Sequence, residues 1–486
     1  MKNLLILLLV VPILGFTQQN SISDNLFSNY ETYKESIITQ RRFKHNEIQP
    51  LIEKLKPEKD FQVTFLGNSI EGRSISMISI GNGKTNVLLW SQMHGDETTA
   101  TMAIFDIFNY LKVNKEILKN IKLHFIPMLN PDGAEKFTRR NAIGIDINRD
   151  AIRLQSPESR ILKSARDSLK ADFGFNLHDQ SKYYNAERTE KPATISYLAP
   201  AYNYEKGINT TRSNAMKIIV EMNDIIQKYA PGQVGRYSDD FEPRAFGDNI
   251  QKWGTSTILI ESGGFKNDPE KQFIRKLNYV SILAAIHSIS TGSFANTSMK
   301  KYEKIPRNDR KLFDLKITNL TFSHLGNPYI VDLGIMNIER DNNKHTNFYN
   351  IGRVNDIGDL STYFGYQTLD AKDLSFQVGE TYPKILSDFE EFKKLDVKDL
   401  LQQGYTTVSI DSLPNEIKFV NYPINIVDSR KITIPKNNTI PKPPISFRKN
   451  PTFLLTKDGI VVYAIINGFV YDLAKNDNKV INGLAN

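Results

Sequence analysis

Between about residue 61 and residue 295 the chain alternates short apolar runs with stretches of helical spacing. QVTFLGNSI and SISMISIG read as strands joined by a turn at Glu71-Gly72. NVLLWSQMH is a short apolar run of the kind a buried strand shows. Met102, Phe105, Ile107, Phe108 and Leu111 then recur at helical spacing in ETTATMAIFDIFNYLKV. KLHFIPMLN, FGFNLHDQ and TSTILIESGG repeat the buried-strand signal, with helical SPESRILKSARDSL and TTRSNAMKIIVEMNDIIQKY between them. Strands that alternate with helices must bury both sheet faces, which predicts an α/β sheet flanked by helices.

The flanks differ. Residues 18–60 are polar and helical in pattern, with SNYETYKESIITQRRF as one expected helix. Beyond about residue 295, short strand-like runs dominate: NPYIVDLGIM, TTVSID and IKFVNYPINIV. IPKNNTIPKPPISFRKNP is Pro-rich and predicts an extended linker near 432–451. FLLTKDGIVVYAIINGFVYDL predicts three strands turned at Asp458-Gly459 and Asn467-Gly468. The expected division is a leader over 1–17, a catalytic domain over 18–295, and a β-rich accessory region of one or two units over 296–486.

The leader rests on Lys2 and the apolar run Leu4–Leu14, which is too short to span a bilayer comfortably, followed by Gly15 and Thr17. It predicts a secreted or periplasmic protein with no stable membrane span once the leader is removed. Hydrophobic residues make up 40% of the 486 and charged residues 24%, the balance of a soluble globular chain. The net charge of +8 is spread along the sequence, with no dense basic run interleaved with aromatics, which argues against nucleic acid as a partner. The chain has no cysteine, so neither disulfides nor thiolate metal ligands are open to it. Any metal site must use histidine and carboxylate.

His94-Gly95-Asp96-Glu97 follows a buried strand and opens a helix, so His94 and Glu97 can turn toward one ion. Alone the pair is weak, because a histidine beside a helix N-terminal glutamate is commonplace. His178 ends a second buried strand and Glu261 ends a third. A carboxylate there is costly to bury unless paired or functional. In open α/β sheets ligands bind outside the carboxyl ends of strands, where all of these fall, and there are only seven histidines in the chain. Asn130-Pro131-Asp132-Gly133 reads as a tight turn. Arg139, Arg140, Asn148 and Arg149 could bind an anion. His45, His124, His287, His324 and His345 read as structural.

HGDE, NPDG, RRNAIGIDINRD and the strand-end His178 and Glu261, in this order over roughly residues 45–295, resemble the zinc carboxypeptidases related to carboxypeptidase A. The resemblance implies a mixed eight-stranded sheet flanked by helices. It also implies one zinc ion on His94, Glu97 and His178, with Glu261 as general base. Arg139 then steadies the oxyanion, with Arg140 as the alternative, and Asn148 and Arg149 grip the substrate's terminal carboxylate. Tyr237 is the nearest candidate for a tyrosine that closes over substrate. Phe246, Arg244 and Asp248 are candidates for the specificity pocket. In the digestive members an arginine precedes the ligand glutamate, whereas here Asp96 stands there. The function implied is a secreted zinc metallocarboxypeptidase cutting C-terminal amide bonds of a peptide or muropeptide with a free carboxylate. The alternatives are a peptidoglycan stem-peptide hydrolase or amidase using the same site, a deacylase of acylated amino acids, and an inactive binding module. The presence of all four metal-site side chains weighs against the last.

Overall fold

The computed structural model describes residues 22–342, 344–431, 443–475 and 483–485. The expected leader and residues 432–442 of the expected linker lie outside them. The chain divides into two units between Arg310 and Lys311.

The first unit is built on eight strands: β1 Phe61–Asn68, β2 Ser74–Ile80, β3 Thr85–Ser91, β4 Ile121–Ile126, β5 Phe173–Asp179, β6 Ile195–Leu198, β7 Val234–Arg236 and β8 Ser256–Ser262. Their order in the sheet is β1-β2-β4-β3-β5-β8-β6-β7. The core run β4-β3-β5-β8 is parallel, while β1-β2, β2-β4 and β8-β6 are antiparallel, so the sheet is mixed as the family resemblance implied. From residue 99 on, the α-helices of this unit are α1 Thr99–Val113, α2 Pro131–Lys136, α3 Pro157–Leu169, α4 Thr210–Tyr229, α5 Phe246–Lys252 and α6 Gln272–Thr291.

Alternate residues of each central strand feed opposite layers. Val87 and Leu89 of β3 pack with Met102 of α1, Met216 of α4 and Leu277 of α6. Leu88 and Trp90 pack with Leu162 of α3 and Ile250 of α5. A parallel sheet covered on both faces needs continuous apolar strands, which is the pattern the sequence carries. Ser156 and Asn209 cap α3 and α4 by accepting from the backbone N–H of Ser159 (3.1 Å) and Arg212 (2.9 Å).

Two expectations are corrected. The helix expected over residues 28–43 ends at Tyr33. Beyond it the backbone finds side-chain partners instead of a helical ladder. Asp106 of α1 accepts from Glu35 N–H (2.7 Å), and Arg275 of α6 donates to the carbonyls of Ile38 (2.6 Å) and Glu35 (3.0 Å). Asn130-Pro131-Asp132-Gly133 starts a helix rather than making a turn. Asn130 caps α2 by accepting from Gly133 N–H (2.9 Å), and Pro131 occupies its first turn, where the missing N–H costs nothing. Strands β6 and β7, four and three residues long, are too short to display a period.

The largest sheet of the second unit is formed by β9 Leu312–His324, β10 Asn327–Asn342, β11 Asn347–Gly358, β12 Phe364–Asp370, β13 Ser375–Gln377, β14 Phe453–Lys457, β15 Ile460–Ile466 and β16 Phe469–Asp472, beside a smaller three-stranded sheet of Glu380–Thr381, Tyr405–Ile410 and Asn425–Asp428. Its path is β11-β10-β9-β13-β14-β15-β16, with β12 also paired to β9. Both anticipated hairpins occur. Asp458 and Gly459 have φ of 51° and 79°, and Asn467 and Gly468 have φ of 50° and 80°. Two consecutive positive φ values are what a two-residue loop needs to match the strand twist. Among the described residues no helix is long and apolar enough to cross a membrane.

Candidate active site

The site gathers at the carboxyl ends of β3, β5 and β8. After β3 the chain turns sharply, Glu97 N–H donating to His94 O (3.1 Å) before α1 begins. Gly95 makes this turn possible by lying against the start of α2. A Cβ built on it would sit 2.0 Å from the Gly133 carbonyl carbon, so the HGDE and NPDG segments interlock through two glycines. His178 and Glu261 are direct partners in the β5-β8 ladder and so stand side by side.

The ligating atoms of His94, Glu97 and His178 lie within 4.8 Å of one another. The two Nδ1 atoms are 3.2 Å apart, with Glu97 Oε1 2.7 Å from His94 Nδ1 and Oε2 2.6 Å from His178 Nδ1. Imidazole nitrogen and carboxylate oxygen are both donor types that zinc accepts. His94 Nε2 lies 3.2 Å from Asp146 Oδ1, and a proton held there leaves Nδ1 as the donor atom. The donor set therefore fits zinc: two imidazole nitrogens, one carboxylate and no sulfur.

Burial and the few charges of the cluster set its proton affinities. Burial opposes the charged form of Glu97, but His94 and His178 hold its carboxyl well below the usual range. Burial also opposes protonation of His94, yet Glu97 and the Asp146 hydrogen bond raise it to about 9. Burial wins at His178 and pushes it down. Burial, then the Glu97 charge, push Glu261 well above an ordinary glutamate.

His94, Glu97, His178, Glu261, Arg139, Asn148, Arg149 and Tyr237 all line one cavity of about 460 Å3. Arg139 reaches the ligand cluster, its Nη1 lying 3.2 Å from His94 Nδ1 while its Nε donates to Asp146 Oδ2 (3.0 Å). Arg140 does not join them; it is exposed and donates to Gly144 O (2.9 Å). Asn148 Oδ1 accepts from Phe246 N–H (2.9 Å), and Arg149 Nε lies 3.5 Å from Glu242. Tyr237 sits 6.1 Å from the Tyr184 ring, and burial and the Glu261 charge push its hydroxyl up. Of the three pocket candidates only Asp248 lines the cavity, where burial raises it to about 7. Phe246 is core, and Arg244 is exposed and grips Glu242 with two hydrogen bonds (2.9 and 2.8 Å). Asp96 is partly buried, and burial beside Glu97 raises it to about 6.

Asp146 escaped the sequence reading. It joins His94 to Arg139, yet a lone carboxylate in a loop gives no periodic signal. Its place in GIDINRD was the one clue. Asn176 and Tyr184 also line the cavity unforeseen.

Residues 49–224 match the zinc carboxypeptidase family. Among curated proteins, carboxypeptidase SOL1 of Arabidopsis thaliana is 24% identical over 175 residues, 28% of this chain and 35% of that protein. A probable carboxypeptidase 2 of Trichophyton verrucosum is 27% identical over 132 residues, 26% of this chain and 25% of that protein. An uncharacterised protein of Zymomonas mobilis is 26% identical over 137 residues, 26% of this chain and 36% of its own length. The match thus spans little more than a third of these relatives at most. Similar solved structures include a metallo-carboxypeptidase from Burkholderia cenocepacia (16% identity, TM-score 0.41, 52% of this chain and 70% of that one). Carboxypeptidase A from Helicoverpa armigera is another (16% identity, TM-score 0.43, 57% and 81%).

Proposed function

We propose that this chain, whose residues 49–224 belong to the zinc carboxypeptidase family, is a secreted zinc metallocarboxypeptidase that removes the C-terminal residue of peptides. One observation carries the reading. The Nδ1 atoms of two strand-end histidines and the Glu97 carboxylate converge beside Glu261, in a cavity that also presents Arg139, Asn148 and Arg149.

His94, Glu97 and His178 would hold the metal. Zinc, when bound there, supplies a Lewis acid that lowers the pKa of water to about 7 and polarises a carbonyl. Glu261 takes the proton of the attacking water on its carboxylate and delivers it to the leaving nitrogen. Arg139 stabilises the negative charge that develops on the carbonyl oxygen, a donor whose loss typically costs about 3 kcal/mol in the transition state. Arg149 and Asn148 hold the substrate's terminal carboxylate, so that only the last peptide bond reaches Glu261. Tyr237 closes over the bound tail. Asp248 faces the side chain of the departing residue.

The test is to load the full chain with zinc and supply a mixed library of peptides and muropeptides. Mass spectrometry should find products shorter by one C-terminal residue, and treatment with a chelator should abolish them. Internal cleavage, or release only from muropeptides, would contradict this assignment.

A further inference from the structure

We propose that Lys271 is a positioning residue that keeps the metal-holding and base-carrying segments in register, acting through one buried carboxylate, Asp179. Lys271 Nζ donates to Asp179 Oδ2 (3.0 Å) and to the backbone carbonyl of Ser262 (3.0 Å). Thr99 Oγ1 donates to the same Asp179 oxygen (2.7 Å). Three chain segments therefore meet at one ion pair, and each carries a functional residue close by. Thr99 lies two residues after Glu97, Asp179 follows His178, and Ser262 follows Glu261. Asp179 adds a direct link, its backbone N–H donating to Glu97 Oε2 (3.2 Å).

The pair is shielded, the Lys271 and Asp179 side chains being 13% and 9% exposed. Breaking such a pair leaves a buried charge without its partner. Lys271 also springs from a fixed base. Its φ of 52° is left-handed, a conformation a long side chain seldom takes. Asp268 caps α6 by accepting from the backbone N–H of Gln272 (2.7 Å), Phe273 (3.0 Å) and Ile274 (3.2 Å). One turn on, Arg275 is tied to Asp106 of α1. Asp179 itself lines the cavity, whereas Lys271, Thr99 and Ser262 stand behind it.

The inference rests on the metal-site reading above, and its test has a readout that does not depend on turnover. Zinc affinity would be measured by chelator competition on the full chain and on its Lys271→Met, Lys271→Arg and Thr99→Val variants. The zinc-saturated proteins would then be assayed for kcat and KM. Outer-shell partners of metal ligands are worth about 10- to 100-fold in affinity or activity. Lys271→Met should weaken zinc binding by at least about tenfold and lower kcat with KM nearly unchanged. Lys271→Arg should recover most of both, and Thr99→Val, which cuts a single spoke, should shift affinity less and in the same direction. Unchanged zinc affinity in Lys271→Met, or an arginine variant as impaired as the methionine one, would overturn the proposal. A rise in KM at constant kcat would also overturn it, by making Lys271 a substrate contact. Should Lys271→Met fail to fold, Lys271→Gln, which keeps a hydrogen-bond donor but not the charge, takes its place, and wild-type zinc affinity in that variant overturns the proposal equally. A wild-type chain that binds zinc tightly but trims no peptide defeats the carboxypeptidase reading alone, and the affinity comparison still decides the role of Lys271.

Discussion

At the scale of single residues, the site depends on contacts that leave no room for a methyl group and on charges whose surroundings are fixed. Gly95 is the sharpest steric case. Because the atom in its way is Gly133 backbone, no side chain can swing aside. Gly95→Ala should cost about 1–3 kcal/mol of stability, read from the denaturation midpoint, and should weaken zinc binding by misplacing His94 and Glu97. An alanine variant with wild-type stability and zinc affinity would show that the interlock is dispensable. His124 is an electrostatic case remote from the metal. It is 2% exposed on β4, its Nδ1 2.8 Å from Ser79 Oγ and its Nε2 3.1 Å from Asn86 Oδ1. Burial, then Lys122, lower its pKa to about 4. A histidine normally titrates near 6.5, so the unfolded chain binds this proton first as pH falls. His124 therefore contributes stability above about pH 6.5 that is lost on the way down to about pH 4, worth about 2–3 kcal/mol. His124→Gln should remove that part of the slope from a plot of unfolding free energy against pH. A variant with the wild-type slope would contradict the assignment.

Among the elements, α1 and α6 are joined by an ion pair with no exposure at either side chain. Arg275 Nη2 lies 2.5 Å from Asp106 Oδ1, and its Nε donates to Asp106 Oδ2 (2.7 Å). The same two residues satisfy the backbone of residues 35–38, which is why the helical pattern of the N-terminal segment stops short. Arg275→Leu would strand the Asp106 charge and free that backbone together. The expected loss is about 3–5 kcal/mol, with faster hydrogen exchange at Glu35 N–H. A loss under about 1 kcal/mol would mean that Tyr30 and Glu35 suffice to hold Asp106. This element also marks where reading the sequence has its limit. Local periodicity identified α1, α3, α4 and the long buried strands, because each carries its pattern within itself. The Asp-Gly and Asn-Gly hairpins were legible for the same reason. Residues 34–44 were not, because their partners lie about 70 and 240 positions away.

Across the whole molecule, the positions of His178 and Glu261 could be read because each stands at the end of an apolar strand, and those of His94 and Glu97 because they fill the turn between such a strand and a helix, where a parallel sheet opens its ligand crevice. Asp146, Asp179 and Lys271 could not. They lie in loops, and only the folded chain brings them to the histidines. The orientation of Arg139 inward and Arg140 outward was equally closed to the sequence, since neighbouring arginines differ there only in the local backbone. The second unit has its own sheet and its own cores around Leu454 and Leu455, and no residue in it is assigned to the chemistry. The most direct measurement compares the wild-type chain with Glu261→Gln, determining bound zinc and the rate of C-terminal residue release on the same samples. One zinc per chain in both proteins, with turnover lowered about 100- to 10,000-fold in the glutamine variant, is the result expected of a metal site served by a separate base. Equal turnover in the two proteins, or no stoichiometric zinc in either, would contradict it.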